Sequence, residues 1–223
     1  DQGIRRFIIG LGGSATNDGG LGMLQALGAT FLDAEGKQVS AFSVPDALTR
    51  IARVDYNTLD PRLKETEILI ASDVKSPLCG PQGASFVFGP QKGATPEQVQ
   101  ILEQALASFA EKIERHLGHS YQHLPGAGAA GGLGFALMSI GGKVHSGAEL
   151  IAQTSGLPEK LRQADWLITG EGKTDHQTLL GKLPITLSSL ARSRGVRIVL
   201  ISGSLDSDAH ALETLYGYFD ALF

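Results

Sequence analysis

The sequence has little of what would mark several common classes of protein. It contains one cysteine, Cys79, which cannot form an internal disulfide or a cysteine-based zinc site and therefore suits a reducing compartment. No apolar run approaches the roughly 20 residues that a membrane-spanning helix needs. The net charge is -4 and the basic residues form no block, which argues against a nucleic-acid partner. We therefore expect a cytoplasmic protein with neither a membrane nor a nucleic-acid partner.

Several well-known catalytic motifs are also missing. The chain has no Gly-x-x-x-x-Gly-Lys-[Ser/Thr] P-loop, no Gly-x-Ser-x-Gly nucleophile elbow and no His-Glu-x-x-His zinc motif. A P-loop enzyme, an α/β-hydrolase with that elbow and a zinc protease with that motif are therefore excluded.

Glycine, in contrast, is abundant. It accounts for 29 of the 223 residues, nearly double the usual share of about 7 %. The glycines have no three-residue period, so collagen is excluded, and many lie in four windows: 10–28, 80–93, 126–134 and 170–181. Glycine clustered beside apolar segments is typical of tight turns and of backbone that approaches a ligand.

Apolar strands and amphipathic helices alternate along the chain. Strands are predicted over residues 6–10, 67–71, 85–88, 165–169 and 197–202. Helices are predicted over residues 21–27, 95–117, 133–140, 146–154, 184–194 and 208–216. The longest helix has a capping box of Thr95 and Gln98, and a second box pairs Ser146 with Glu149. This alternation predicts an α/β protein with a largely parallel sheet, which binds ligands at the carboxyl ends of its strands.

The first glycine window, GLGGSATNDGG over residues 10–20, follows a strand and precedes a helix. Its backbone N–H groups and side chains could hold a carboxylate or a phosphate. The predicted contacts are Gly12, Gly13, Ser14, Thr16, Asn17 and Asp18. The window also fits a dinucleotide fingerprint with Asp33 as the ribose-binding acid, but residues 17–20 interrupt the helix that this fingerprint requires.

Three further segments each have a functional and a structural interpretation. Asp73 follows a strand and is a candidate magnesium or substrate ligand, or else a turn aspartate. Lys92 lies in a glycine loop before a helix, where it could meet a phosphate, or else is an ordinary solvated lysine. Gly128 and Gly131 belong to a window that could seat an anion or simply allow close helix packing.

The last window, TGEGKTDHQTLLGK over residues 169–182, follows a predicted strand and is the most informative. This window contains acidic residues, lysines, a histidine and hydroxyl residues interspersed with glycines. Such a combination is typical of a site that acts on a phosphate. The candidate catalytic residues are Glu171, Lys173, Asp175 and Lys182.

Four segments together strongly resemble the type-1 glycerate kinase family. They are the windows at 10–20, 126–134 and 169–182 and the stretch LCGPQGASFVFGPQKGAT at 78–95, and they occur in the family's order. Two departures are Lys173, where the family usually has arginine, and His176, where a small serine is common. A lysine keeps the charge but loses the bidentate geometry of an arginine.

The resemblance implies ATP-dependent phosphorylation of D-glycerate to 2-phosphoglycerate, with 3-phosphoglycerate as the alternative product, in glyoxylate and aldarate catabolism. Phosphoryl transfer needs a base or orienting group for the attacking hydroxyl and cations for the developing charge. We assign the first role to Asp175 and the second to Lys173 and Lys182. Glu171 and Asp73 are the candidate ligands of Mg²⁺ or of substrate hydroxyls.

The resemblance also implies a two-domain α/β architecture, in which one domain is inserted into a Rossmann-like domain. Residues 1–180 would be mostly the inserted domain, and residues 181–223 a partial return into the other. Because family members have further N-terminal and C-terminal segments, the chain is expected to be an inactive fragment. The alternatives are an NAD-dependent oxidoreductase and a non-catalytic binding domain, and a homodimer stays open.

Overall fold

The computed structural model describes residues 2–42, 44–174, 178–180, 183–205 and 209–223. The chain divides into two compact units, Asp1–His145 and Ser146–Phe223. The alternation of strands and helices expected from the sequence is present in both units, and the prediction of an α/β protein with parallel sheets is confirmed. Within the described part of the chain, no helix is long and apolar enough to cross a membrane.

The first unit is built on a three-stranded parallel sheet. Its strands are β1 (Arg6–Gly10), β4 (Glu67–Ala71) and β5 (Lys143–His145), in the order β1-β4-β5. Strands β2 (Thr30–Leu32) and β3 (Arg53–Asp55) form a separate two-stranded antiparallel sheet. The helices of this unit are α1 (Leu21–Ala26), α2 (Asp46–Arg50), α3 (Ala84–Phe88), α4 (Pro96–Leu117) and α5 (Leu133–Ser139). Short 3₁₀-helices cover Pro61–Glu65, Pro90–Lys92 and Ala129–Gly132.

Helix α4 confirms the capping prediction. The Thr95 hydroxyl accepts from the Gln98 backbone N–H at 3.3 Å, and the Gln98 side chain accepts from the Thr95 N–H at 2.8 Å. Gly118 ends the helix in the left-handed conformation, with φ 68°. The apolar stripe is buried, and the Phe109 ring lies 5.6 Å from that of Phe31 and 6.4 Å from that of Phe135. The core of the first unit therefore forms around this helix.

The second unit contains a parallel sheet in the order β6-β7-β8. These strands are β6 (Trp166–Thr174), β7 (Arg197–Leu205) and β8 (Ala221–Leu222). The helices are α6 (Gly147–Thr154), α7 (Leu157–Leu161), α8 (Leu183–Arg192) and α9 (Ala209–Tyr216), with a 3₁₀-helix at Thr178–Leu180. Helix α6 starts after Ser146 as expected, but the Ser146 side chain does not cap it.

The predicted strand over residues 85–88 is wrong, since this segment lies in helix α3. A short apolar run has no periodicity that separates a strand from a buried helix. Here glycines flank the run at Gly83 and Gly89, and α3 packs against α4. Packing, rather than the β propensity of Phe86 and Val87, decides the conformation.

Strands β6 and β7 are longer than the sequence predicts, because they pair in register from Trp166↔Arg197 to Thr174↔Leu205. Residues 170–174, expected in a loop, are therefore strand. The same pairing places residues 166–174 and 197–205 in one unit, so the division near residue 145 does not coincide with the proposed domain boundary after residue 180. Which residues belong to an inserted domain stays a prediction.

Asp33, the candidate ribose-binding acid, closes a turn next to β2. Its buried carboxylate accepts from the backbone N–H of Lys37 at 2.8 Å and of Glu35 at 3.1 Å, and it pairs with Arg50 at 3.1 Å. The Lys37 N–H, with help from Arg50 and Glu35, lowers the pKa of this carboxyl below its ordinary value. The structure thus gives Asp33 a structural role.

Replacing Asp33 with asparagine is expected to lower the melting temperature at about pH 7 and to have a smaller effect at about pH 3. A carboxyl with a depressed folded-state pKa stabilises above its unfolded pKa, about 3.9, and loses that contribution as the pH falls through the folded value. Thermal unfolding at both pH values checks this. Asp46→Asn, at an exposed acid 3.9 Å from Arg50, is the control. An equal shift at both pH values would contradict the assignment.

Candidate functional site

The parallel sheet of the first unit brings two predicted ligand segments to one edge. The ends of its strands are aligned, because Gly10 pairs with Ala71 and Ala71 pairs with His145. The glycine loop 11–20 leaves this edge after β1, and the segment with the exposed Asp73 leaves it after β4. These are carboxyl ends of parallel strands, where α/β proteins bind ligands.

Lys92 joins this edge from a distant part of the sequence. The Pro90–Lys92 3₁₀-helix places its ammonium 2.6 Å from the carbonyl oxygen of Thr16 and 3.3 Å from the Ser14 hydroxyl. Burial lowers the pKa of the Lys92 ammonium below its ordinary value, and the Asp18 carboxylate opposes that shift. The glycine window at residues 10–20 and the loop that contains Lys92 therefore form one cluster. Such a cluster is typical of an anion site and not of a solvated loop lysine.

Asn17 is anchored by a residue that sequence reasoning missed. Its Nδ2 donates to the hydroxyl of Ser85 at 3.1 Å, and Ser85 is fully buried on α3. The Oδ1 of Asn17 is also buried and has no hydrogen-bond partner among the described residues. No local pattern marked Ser85, because the contact spans 68 positions in the sequence.

The side chain of Asp18 stabilises the glycine loop through hydrogen bonds. Its Oδ1 accepts from the Thr16 hydroxyl at 2.7 Å and from the Gly20 N–H at 3.0 Å, and its Oδ2 accepts from the Gly22 N–H at 3.4 Å. These bonds satisfy N–H groups at the start of α1, as an N-terminal capping acid does. Asp18 therefore stabilises the conformation of the loop and also adds a negative charge to it.

The predicted ligand glycines fall into two groups. A Cβ added at Gly12 or Gly13 would meet nothing within 4 Å, so this backbone is open to an approaching group. A Cβ at Gly131 would overlap the Thr16 carbonyl oxygen, and one at Gly128 would overlap that of Pro77. The window 126–134 therefore provides the close packing, and the open backbone belongs to the loop after β1.

Gly131→Ala is expected to destabilise the first unit by about 2–5 kcal/mol, because it adds a clash with Thr16 to a left-handed backbone of φ 67°. Gly13→Ala is the matched control, since φ at Gly13 is 57° but its surroundings are open. That variant should cost only the backbone strain, roughly 1–2 kcal/mol. Urea unfolding of both proteins measures the difference, and equal losses would show that close packing is not the reason for glycine at 131.

A cavity of about 470 Å³ adjoins this cluster. Its polar lining comes from Asn17, Lys92 and Gln98, and apolar walls come from Val44, Pro45, Ile101 and others. A concave, mostly apolar space with a few convergent polar groups is the usual form of a small-molecule site. The cavity lies entirely within the first unit.

In the second unit, Glu171 and Lys173 lie near the carboxyl end of β6. The Glu171 carboxylate accepts from the hydroxyl of Thr174 at 3.0 Å and from that of Thr178 at 2.6 Å. Asp175 and Lys182, the other catalytic candidates, lie outside the described residues. In sequence, Asp175 directly follows the last residue of β6.

The donors suit a magnesium ion only in part. The ranges that the structure describes contain no group of three or more His, Cys, Asp or Glu able to hold a metal. Asp73 lies in the first unit and Glu171 in the second. Magnesium usually takes one or two protein carboxylates together with substrate phosphates and water, so isolated carboxylates fit an ion that binds with a nucleotide.

The fold and this cluster define an α/β protein with a glycine-rich loop and a neighbouring lysine, Lys92, at the carboxyl edge of a parallel sheet. Comparison with known proteins identifies the family. The glycerate kinase family model matches residues 1–222, and the chain belongs to that family.

Three similar proteins show how far the similarity extends. Glycerate kinase of Bacillus subtilis (strain 168) is 42 % identical over all of this chain and 58 % of its own length. Glycerate 2-kinase of Escherichia coli (strain K12) is 40 % identical over all of this chain and 59 % of its own length. A crystal structure from Salmonella typhimurium LT2 assigned to glycerate kinase 2 has a TM-score of 0.83 and 43 % identity, over 99 % of this chain and 56 % of that one. The chain thus spans little more than half the length of these relatives.

Proposed function

We propose that the protein transfers the γ-phosphoryl group of ATP to D-glycerate and forms 2-phosphoglycerate. The family match over nearly the whole chain is the observation that carries this proposal. The name of the E. coli relative, a glycerate 2-kinase, favours the 2-phospho product over the 3-phospho product. A cytoplasmic location and a homodimer stay predictions.

The loop after β1 and Lys92 would bind the anionic end of a substrate, either the glycerate carboxylate or a phosphate. The Ser14 hydroxyl, the Asn17 amide and the open backbone at Gly12 and Gly13 supply donors around the Lys92 ammonium, whereas the Thr16 hydroxyl donates to Asp18. Charge-assisted hydrogen bonds of this kind are about twice as strong as neutral ones. The cation and the donors are in place before a ligand arrives, so binding requires little rearrangement.

In the transfer, the glycerate hydroxyl oxygen forms a bond to the γ-phosphorus, and the bond from that phosphorus to the bridging oxygen of ADP breaks. Asp175 would accept the hydroxyl proton, and Lys173 and Lys182 would balance the negative charge on the transferring group. Magnesium bound with the nucleotide would supply further neutralisation of phosphate charge, and Glu171 and Asp73 are each a candidate ligand for such an ion or for a substrate hydroxyl.

The decisive experiment is an ADP-release assay on the protein encoded by the complete gene, with a panel of hydroxy acids. We expect turnover with D-glycerate, and ³¹P NMR of the product should distinguish 2-phosphoglycerate from 3-phosphoglycerate. Residues 1–223 alone are expected to be inactive in the same assay. No turnover with any hydroxy acid would favour a non-catalytic binding domain.

The NAD-dependent alternative has lost its main support. The helix that follows the fingerprint starts only at Leu21, eleven positions after Gly10, and Asp33 is held by a turn and Arg50. A fluorescence titration with NADH should therefore show no binding.

A further inference from the structure

Two buried hydroxyls contact the Glu171 carboxylate in the second unit. Thr174 is 1 % exposed and Thr178 is fully buried, and both hydroxyls contact Glu171 Oε1, at 3.0 and 2.6 Å. The Thr174 hydroxyl also lies 2.9 Å from that of Ser202, which is paired with Glu171 across β6 and β7. The sequence pattern identified Glu171 as a candidate catalytic residue, but it did not identify these hydroxyls as the hydrogen-bond partners of Glu171.

The direction of each hydrogen bond follows from counting protons. An ionised carboxylate can only accept, so Thr174 and Thr178 must both donate their single hydroxyl hydrogen to Glu171. The Thr174 hydroxyl also lies within hydrogen-bond distance of the Ser202 oxygen, and the Ser202 hydroxyl donates its own hydrogen to the Phe223 carbonyl at 3.3 Å. Two hydroxyl donors therefore converge on one oxygen of the Glu171 carboxylate, and hydrogen bonds to a charged acceptor are the stronger kind.

We propose that Thr178 is a positioning residue, whose hydroxyl, together with that of Thr174, fixes the orientation of the Glu171 carboxylate for phosphoryl transfer. This inference rests on the proposed function, and it adds residues to which no catalytic role was assigned. The hydrogen bond between Thr178 and Glu171 joins two residues that are seven positions apart in the sequence. The backbone of Glu171 is part of β6, and the two hydroxyls hold its carboxylate. The carboxylate can then present one geometry to a metal ion or a substrate hydroxyl.

The test is made on the protein encoded by the complete gene, with D-glycerate and MgATP. Thr178→Val removes the hydroxyl at nearly constant volume and should lower kcat/KM by about 10–100-fold, as the loss of a partner that orients a ligand usually does. Thr178→Ser keeps the hydroxyl and should stay within about threefold of the wild type. Ser188→Ala is the matched control, because that fully buried hydroxyl on α8 donates to the Tyr218 carbonyl at 2.6 Å and is not bonded to Glu171. It should leave kcat/KM unchanged.

A double-mutant cycle separates positioning from a general loss of structure. If Thr178 acts through Glu171, Thr178→Val should have almost no effect on kcat/KM once Glu171→Gln is present. The same non-additivity is expected in the affinity for MgATP measured by calorimetry, which does not depend on turnover.

Wild-type kcat/KM in the Thr178→Val protein, additive losses in the cycle, or no recovery with Thr178→Ser would each overturn the inference while the proposed function stands. A wild-type protein that phosphorylates no hydroxy acid overturns the proposed function and this inference together. That result is seen before any variant is compared, so the two failures can be distinguished.

Discussion

Asp175→Asn is expected to lower kcat by about 10²–10⁴-fold in the protein encoded by the complete gene. The asparagine has nearly the same size as the aspartate but cannot take the proton of the attacking hydroxyl. The rate should therefore fall, while the melting temperature and the KM for MgATP change little. Steady-state kinetics with D-glycerate, together with thermal unfolding, checks both parts.

Asp165 offers a control at the opposite end of the same strand. It directly precedes Trp166, the first residue of β6, whereas Asp175 directly follows Thr174, the last. Because α/β proteins bind ligands at the carboxyl ends of parallel strands, Asp165→Asn should leave kcat unchanged. Near-normal turnover in the Asp175→Asn protein would refute its assignment as the base.

Lys92→Met is expected to lower kcat/KM by about 10²–10³-fold, the usual cost of removing one well-placed donor to a negative charge. Methionine keeps much of the apolar stem but loses the ammonium that contacts Ser14 and Thr16. The matched control is Lys112→Met on α4, because burial lowers the pKa of Lys112 as it does that of Lys92. Equal activity in the two variants would show that Lys92 takes no part in substrate binding.

The depressed pKa of Lys92 adds a pH test to this prediction. Its ammonium should lose the proton at a lower pH than an ordinary lysine, so kcat/KM should decline on the alkaline side earlier than lysine titration normally allows. Arginine stays charged throughout that range. Any activity retained by Lys92→Arg should therefore lack this alkaline decline, and an unchanged profile would assign the decline to another group.

Local sequence determined the elements whose signals are local. The capping box of Thr95 and Gln98 and the stripe of apolar residues lie within a single helix, so they identified α4 without any tertiary information. The strand over residues 85–88 was wrong for the opposite reason. A run of four residues has no decisive period, and its conformation follows from packing against α4.

For the candidate site, the sequence supplied the residues but not their association. The loop after β1 and Lys92 were two separate motifs, and the local sequence around Lys92 favoured a solvated loop lysine over a ligand contact. The contact of Lys92 with Thr16 spans 76 positions, and that of Asn17 with Ser85 spans 68. No local pattern encodes such contacts, because they depend on how the helices pack on the sheet.

The sequence by itself therefore determined the α/β class, the family resemblance and the glycine-rich windows, since each of these is written in short continuous segments. Only the tertiary structure decided how closely the windows at 10–28 and 126–134 are packed. The backbone at Gly12 and Gly13 is open, whereas Gly131 is pressed against the Thr16 carbonyl and has no room for a Cβ. The physical reason is that a glycine leaves the same space at every position, and only the surrounding chain determines whether a ligand or another backbone segment can occupy it.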